Sequence, residues 1–440
     1  MSAWSRALAL AGQTPPSRNR YVDFLRALSI AAVILGHWII AAPWIRDGEL
    51  QLDHMLAAQP WTQWLTLLFQ VMPVFFLVGG YSNAASWDAA QRTGTRYGTW
   101  VAGRARRLIG PVLPLILTWA AMAFVFRRFG VSYEMIRHAS ILALVPMWFL
   151  AVYLLVVLLV PVTRAAWLRF GIRSLWALVA LAVVVDVLRF HDGHRPALGW
   201  VNYLFVWAAV HQLGYLWRDG RLAGARDALP WLAGGVLAWV LLVRLGPYPV
   251  SMVGVPGEPI SNTTPPSLLL LAFAAAQVGL VLALERPMRR WLDGPRAWAA
   301  TVLVNGTIMT VYLWHLTVLA LLVGLAFLVG GFGLHFVPGS GQWWLARLPW
   351  LATLAAGLGL IIPLVGRFER SAPLPPDFRP STVRVLTGAA LVSAGIAFLA
   401  LDGIAVAGAL GVRGVVVSGT IVGAWMLGVL GTGASRFRSP

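Results

Sequence analysis

The chain has 440 residues, of which 59% are hydrophobic and only 11% are charged, and its mean hydropathy is +0.75. Soluble domains carry roughly a quarter charged residues, so this composition excludes a soluble globular enzyme, a disordered chain and a coiled coil. The chain has no cysteine, its basic residues are all arginine and its formal net charge is +18, which excludes thiolate chemistry, thiolate metal sites and a lysine Schiff base.

Twelve apolar segments of spanning length follow one another along the chain. A transmembrane helix needs roughly 20 apolar residues. The segments lie near residues 21–43, 63–82, 108–129, 139–163, 171–190, 198–217, 228–246, 267–285, 300–331, 345–366, 384–411 and 414–434. The ninth is long and is expected to be tilted or broken. The pattern predicts an all-α polytopic membrane protein embedded in the lipid bilayer.

The arginines predict the orientation of these helices. Residues 1–20 are polar and have no signal-peptide pattern. When the N-terminus is placed in the cytoplasm, the cytoplasmic segments hold 24 of the 34 arginines and the external segments hold 9. This bias predicts an N-in, C-in protein of the cytoplasmic (inner) membrane, and it argues against nucleic acid as a partner. Three arginines are exceptions, because they fall in a predicted external segment: Arg127, Arg128 and Arg137.

The chain divides by composition into four parts. Residues 1–20 are a cytoplasmic segment, 21–370 a transmembrane core of about ten helices, 371–383 a linker with prolines and arginines, and 384–440 an accessory C-terminal helical hairpin and tail. The external loop 247–266 is rich in proline and glycine, which predicts a rigid, irregular connection.

The first helix carries the strongest candidates for chemistry. Asp23, Arg26 and His37 are charged or titratable residues in an apolar span, and such residues are usually functional. Eleven residues separate Arg26 from His37, which places both on one helix face with a rise of about 16 Å. Asp23 lies three residues before Arg26 and can pair with it. The alternative is an interfacial anchor and a hydrogen-bonded core histidine.

Two further groups lie near the predicted cytoplasmic side. Ser82 and Asn83 follow a Gly-Gly pair at the end of the second span, where they either contribute polar groups to a site or end a packed helix. Arg104 and Arg107 share a face if helical, and guanidinium groups suit phosphate oxygens. The alternative for these arginines is topological anchoring, and Arg106 points elsewhere.

Aromatic residues and a second histidine are candidates for lining a cavity. The fourth span carries Trp148 and Tyr153, and the ninth carries Tyr312, Trp314 and His315. Packing explains aromatic residues equally well, and His315 fits a satisfied core histidine as well as a residue that orients substrate. The sequence contains no ligand cluster that predicts a metal site.

Several motifs, in order, resemble the type-three acyltransferase family of integral membrane proteins. They are the Arg26-to-His37 element, PVFFLVGGYSN at 73–83, the Arg104–Arg107 pair, WFL at 148–150 and YLWH at 312–315, and the similarity covers roughly residues 18–370. The sequences GGYSN and MVGVPGEPISNTTPP are most similar to the corresponding segments of actinobacterial members. The resemblance implies a ten-helix core, with the last two helices outside it.

The resemblance implies transfer of an acyl group, with acetyl expected, from cytoplasmic acyl-coenzyme A to a hydroxyl of an envelope sugar or glycolipid at the outer face. His37 is then the expected catalytic base, by direct transfer or through an acyl-His intermediate. The expected donor-binding residues are Arg26, Arg104, Arg107, Ser82 and Asn83. A transporter or flippase of an envelope glycolipid is the alternative, although such proteins usually carry intramembrane carboxylates. A nonenzymatic scaffold is a third possibility. The sequence predicts neither the oligomeric state nor the acceptor.

Overall fold

The structure is a computed structural model that describes residues 3–15, 18–191, 196–222, 224–369, 374–375, 377–408 and 410–430. The described residues are mostly helical. In chain order the helices and strands are α1 (Ala3–Gly12), α2 (Arg20–Ile40), β1 (Ala41–Arg46), β2 (Glu49–His54), α3 (Met55–Ala58), α4 (Thr66–Phe69), α5 (Met72–Arg92), α6 (Tyr97–Ile109), α7 (Val112–Arg128), α8 (Tyr133–Leu144), α9 (Met147–Phe170), α10 (Ile172–Phe190), α11 (Asn202–Arg218), α12 (Ala225–Leu245), α13 (Leu268–Ala283), α14 (Glu285–Leu292), α15 (Pro295–Asn305), α16 (Ile308–Leu328), α17 (Gly341–Val365), α18 (Thr382–Asp402) and α19 (Gly414–Met426). Short 3₁₀ turns occupy Pro60–Leu65, Pro196–Val201 and Gly366–Phe368.

The membrane-spanning character of these helices agrees with the sequence analysis in part. Among the described residues, seven helical segments are long and apolar enough to cross a membrane, or nine if each of two bent pairs forms one span. The bent pairs are α6 with α7, at 45°, and α13 with α14, at 50°. The expected break in the ninth apolar segment lies between α15 and α16. The count of twelve spans and the N-in, C-in orientation stay predictions.

The first predicted span is too long, because the helix ends at Ile40. Residues 41–54 form an antiparallel hairpin in which Ala41 pairs with His54 and Arg46 pairs with Glu49. The turn residues Asp47 and Gly48 have φ values of +52° and +82°, and an Asp-Gly turn with both φ angles positive suits a two-residue hairpin. The all-helical prediction missed this sheet, although the Asp-Gly pair was a readable signal.

The chain forms two compact units, each assembled from separate stretches of sequence. Unit 1 comprises 1–86, 160–308 and 333–347, and unit 2 comprises 87–159, 309–332 and 348–440. The predicted division into core, linker and accessory hairpin is a division by sequence, and it stays a prediction.

Unit 1 is held together by close helix packing and by the anchored hairpin. Helices α12 and α13 approach so closely that a side chain on Gly235 would meet the backbone of Ala276. Small residues permit such contacts between apolar helices. The backbone N–H of Ile45 in β1 donates to the carbonyl of Leu334 at 2.7 Å. Ala42 and Met55 pack with Trp343 in a buried cluster, so the hairpin has a fixed place in unit 1.

Unit 2 also contains two helices that approach each other closely at a glycine. A Cβ on Gly395 of α18 would overlap the hydroxyl of Thr420 on α19. The hydroxyl of Ser393 donates to the carbonyl of Ala151 at 3.3 Å, which joins α18 to α9. Asp402, at the end of α18, forms ion pairs with Arg137 and Arg413. The last two helices are therefore packed into the body of unit 2.

Candidate active site

The first helix begins in a cluster of hydrogen-bonded charges. The side chain of Asn19 caps α2 by accepting from the backbone N–H groups of the next turn. The Asp23 carboxylate lies 2.6 Å from Arg18 Nε and 3.6 Å from Arg26 Nη1, and its side chain is only 7% exposed. Asn305 Nδ2 donates to the carbonyl of Asp23 at 2.9 Å. The predicted pairing of Asp23 with Arg26 is confirmed, and it holds a guanidinium at this end of α2.

Arg26 and His37 lie on the side of α2 that is opposite to its exposed leucines. Leu28 is 49% exposed and Leu35 is 42% exposed. At about 100° per residue, Arg26 lies about 200° from Leu28, and His37 lies about 200° from Leu35. Both side chains are half-buried. Two polar groups therefore share the side of the helix that is turned toward protein, as the spacing predicts.

The end of α2 that carries His37 (the His37 end of unit 1) is built by close backbone contacts. A Cβ on Gly36 would lie 3.1 Å from the Cβ of Phe69, so only a very small residue fits there. The N–H of Ala41 donates to the carbonyl of His37, and Ala41 pairs with His54 across the hairpin. These contacts bring a second histidine to within one helical turn of His37.

His54 is the last residue of β2. In the structure its Nδ1 atom is buried, and no hydrogen-bond partner for it lies among the described residues. Burial lowers the pKa of His54 to about 4, so its imidazole is neutral at pH 7. Only the hairpin register places this residue beside His37, and no local sequence pattern marks it.

The loop 247–266 is fixed to the same end of unit 1. Gln70 Nε2 donates to the carbonyl of Met252 and to the hydroxyl of Thr263, both at 3.1 Å. The backbone N–H of Met252 donates to the Thr66 hydroxyl at 2.8 Å. Thr66 and Gln70 flank Phe69, which contacts Gly36. The irregular loop is thus hydrogen-bonded to the segment that packs beside His37.

Ser82 and Asn83 lie where α5 crosses α11. A Cβ on Gly80 would overlap the carbonyl oxygen of His211, so the two helices meet backbone to backbone. Asn83 is 1% exposed, and its Nδ2 lies 3.1 Å from His211 Nε2. Ser82 is half-buried. The close approach of the two helices is confirmed, and Asn83 contributes to that crossing. The prediction that these residues end the span is wrong, because α5 continues to Arg92.

The other predicted donor-binding arginines belong to unit 2. Arg104 and Arg107 both lie in α6, three residues apart, so they share a face as expected. Arg107 is exposed, and the Arg104 guanidinium lies 5.8 Å from the centre of the Trp100 ring.

Several of the predicted cavity-lining residues of unit 2 form an aromatic cluster around Phe149. The ring of Phe149 lies 5.4 Å from Tyr153 and 6.0 Å from Tyr312. The Tyr312 hydroxyl donates to the carbonyl of Pro146 at 2.7 Å. His315 is fully buried, and its Nδ1 lies 2.6 Å from the Tyr312 carbonyl. Trp148 is half-buried beside Phe149, and Trp314 is 6% exposed. Tyr153, Tyr312 and His315 are thus brought together.

The long apolar helices are those of a multi-pass membrane protein, and Arg26 and His37 share the face of α2 that is turned toward protein. A family model described as an acyltransferase domain matches residues 19–367. The chain therefore belongs to the type-three acyltransferase family of membrane proteins. No curated protein and no solved structure matches the chain in these comparisons.

Proposed function

We propose that this acyltransferase moves an acetyl group from cytoplasmic acyl-coenzyme A to a hydroxyl of an envelope sugar or glycolipid. The protein lies in the cytoplasmic membrane, with the N-terminus inside, and the acceptor is acylated at the outer face. The observation that carries this proposal is the shared face of Arg26 and His37 on α2, directed away from the exposed leucines.

The two ends of α2 have the properties that the two substrates require. Arg26 lies in the charged cluster at the Asn19 end, where a phosphate-bearing donor meets cations. His37 lies a rise of about 16 Å further along, roughly half of a hydrocarbon core about 30 Å thick. A slender thioester arm that follows the shared face of α2 reaches the imidazole from the donor side. The acceptor hydroxyl approaches from the His37 end, beneath the loop 247–266.

His37 acts as the general base in this proposal. Its imidazole takes the proton of the acceptor hydroxyl as the oxygen attacks the thioester carbonyl. The tetrahedral intermediate then expels the thiolate of coenzyme A, which receives the proton from the imidazolium. The products are an ester and the free thiol, so the proton balance closes without a cofactor or a metal. Arg26, Arg104 and Arg107 bind the donor's phosphates, and Ser82 adds a hydroxyl.

The test is acetyl transfer in inside-out membrane vesicles that contain the protein. Acetyl-coenzyme A labelled in its acetyl group is added on the cytoplasmic side, and the extracted glycolipids and sugars are separated to find the labelled species. Vesicles with His37→Ala at matched expression are the control. We expect label in a hydroxyl ester with the unchanged protein and background label with the variant.

Two results would contradict this function. Equal labelling in the His37→Ala vesicles would exclude His37 as the base. Absence of labelling, together with translocation of a fluorescent glycolipid by the same vesicles, would indicate the flippase alternative.

A further inference from the structure

A basic cavity of about 330 Å³ lies at the Asn19 end of unit 1. Its walls come from the beginning of α2, the end of α11, the beginning of α14 and the α5 residue Tyr81. Ligand sites in proteins have volumes of about 300–1,000 Å³. Its arginines form no local sequence motif, because they lie in two helices that are far apart in the chain, Arg218 in α11 and Arg286 and Arg289 in α14.

The cavity wall combines cations with a carboxylate that already has partners. Arg218, Arg286 and Arg289 line the cavity together with Glu285, which gives these four side chains a net charge of +2. Glu285 accepts from Trp217 Nε1 at 3.0 Å and from Arg289 Nε at 2.8 Å. This arrangement attracts an anion while keeping one carboxylate as an acceptor.

A second carboxylate lies next to the cavity and is shared between arginines. Asp219 is 3.2 Å from Arg218 Nη1, and it also accepts from Arg164 at 2.8 Å and from Trp167 at 2.8 Å. Burial acts to raise the pKa of Asp219, but the hydrogen bonds from Arg164 and Trp167 outweigh burial and lower it. Asp219 therefore stays ionised and is balanced mainly by Arg164, so the cavity keeps its positive character.

One wall of the cavity is aromatic and fixed. The rings of Trp217 and Tyr81 are 4.7 Å apart, and the ring of Tyr21 lies 6.1 Å from Trp217 at a nearly perpendicular angle. Trp217 is 5% exposed and is held by its hydrogen bond to Glu285. Flat rings beside guanidinium groups suit a nucleotide, since the base stacks on aromatic side chains and the phosphates bind arginine.

We propose that this basic cavity binds the phosphorylated adenosine end of the acyl donor, with Arg218, Arg286 and Arg289 on the phosphate of its ribose and the Tyr81–Trp217 wall against its base. The proposal rests on the proposed function for the identity of the ligand. Glu285 favours a nucleotide over a bare phosphate, because a carboxylate accepts hydrogen bonds from amino and hydroxyl groups of a base and sugar and repels an unaccompanied anion.

The experiment measures nucleotide binding without any transfer step. The purified full chain in phosphatidylcholine nanodiscs is titrated with adenosine 3′,5′-bisphosphate by calorimetry. The test variant is Arg218→Ala/Arg286→Ala, and the matched control is Arg290→Ala, which removes another exposed arginine of α14 from outside the cavity lining. We expect at least tenfold weaker binding in the double variant and less than a twofold change in the control. Tyr81→Leu should weaken binding, whereas Tyr81→Phe, which keeps the ring, should not.

The outcomes distinguish a failure of the cavity assignment from a failure of the proposed transferase function. Unchanged affinity in a folded double variant, as judged by an unaltered thermal midpoint, would overturn the cavity assignment while acetyl transfer could still be observed. Failure of nucleotide binding, together with arginine-dependent binding of a short-chain phosphatidylglycerol, would overturn it in favour of a lipid headgroup. Arginine-dependent nucleotide binding in a protein that transfers no acetyl group would support the cavity and contradict the transferase function.

Discussion

His37 and His315 both lie in apolar helices of this protein, and their surroundings differ. His37 in unit 1 is half-buried. It lies next to the hairpin and to the segment Thr66–Gln70, which is hydrogen-bonded to the loop 247–266. His315 in unit 2 is fully buried within an aromatic cluster, and its Nδ1 contacts the carbonyl of Tyr312, one turn earlier in its own helix.

The difference concerns access rather than residue type. A general base must come within hydrogen-bond reach of the proton it removes. His37 is only partly buried as a residue, so a substrate hydroxyl can approach it, whereas His315 is fully buried and a substrate could reach it only if the side chains around it moved. We therefore assign proton transfer to His37 and a packing role to His315, and the following predictions test that contrast.

The largest effect is expected for His37→Ala. Removal of a general base costs about 10²–10⁴-fold in rate, and the partly exposed position should tolerate the smaller side chain. We expect acetyl transfer to fall by that factor while membrane insertion and the thermal midpoint stay close to normal. The measurement is labelled acetyl transfer at matched expression. Near-normal product would refute the proposed mechanism.

The next effect is expected for the α6 arginines. If each contributes a charged hydrogen bond to a donor phosphate, Arg104→Ala and Arg107→Ala should each weaken coenzyme A binding by about 1.5–3 kcal/mol. Arg107→Lys should weaken coenzyme A binding nearly as much as Arg107→Ala does, because an ammonium group cannot reproduce the two parallel hydrogen bonds of a guanidinium group. Calorimetry with the nanodisc-embedded protein provides the affinities. Unchanged affinity in the double alanine variant would assign these arginines to topology alone.

A smaller and more selective effect is expected for the loop 247–266, which is attached to the His37 end. Replacing it with the loop of another family member should change the kcat/KM ratio between two acceptors on the order of tenfold, with little change in donor affinity. The graft should keep Met252 and Thr263, whose hydrogen bonds to Thr66 and Gln70 anchor the loop.

The same loop tests the orientation of the protein. Because the chain has no cysteine, Glu258→Cys introduces a single thiol at an exposed loop position. A membrane-impermeant maleimide should label it from outside intact cells. Labelling only in inside-out vesicles would contradict the predicted topology, and a loop graft that altered donor binding alone would contradict its acceptor role.

The smallest effect on activity is expected for His315→Gln. The substitution disturbs a buried, hydrogen-bonded side chain, so it should cost about 1–3 kcal/mol of stability and reduce acetyl transfer less than about threefold. A thermal-shift assay and the transfer assay together separate these quantities. Nearly complete loss of transfer with an unchanged thermal midpoint would place His315 in the reaction and remove the contrast with His37.

Much of the first helix could be predicted because helical geometry is local. Eleven residues of helix fix the common face of Arg26 and His37, and a spacing of three predicts the Asp23–Arg26 pair that the structure contains. The boundary at Ile40 could not be predicted from hydropathy, since Ala41 and Ala42 are as apolar as the residues of the helix.

The sequence by itself determined the membrane class, the position of most helices and the family, because apolar runs, breaks and motifs in order are properties of neighbouring residues. Only the tertiary structure decided that His54 lies beside His37, since the hairpin register sets that distance. It also decided that arginines from the ends of α11 and α14 line one cavity against the Tyr81–Trp217 wall. Contacts between residues far apart in the chain depend on how helices cross, and backbone contacts such as Gly80 against His211 determine those crossings.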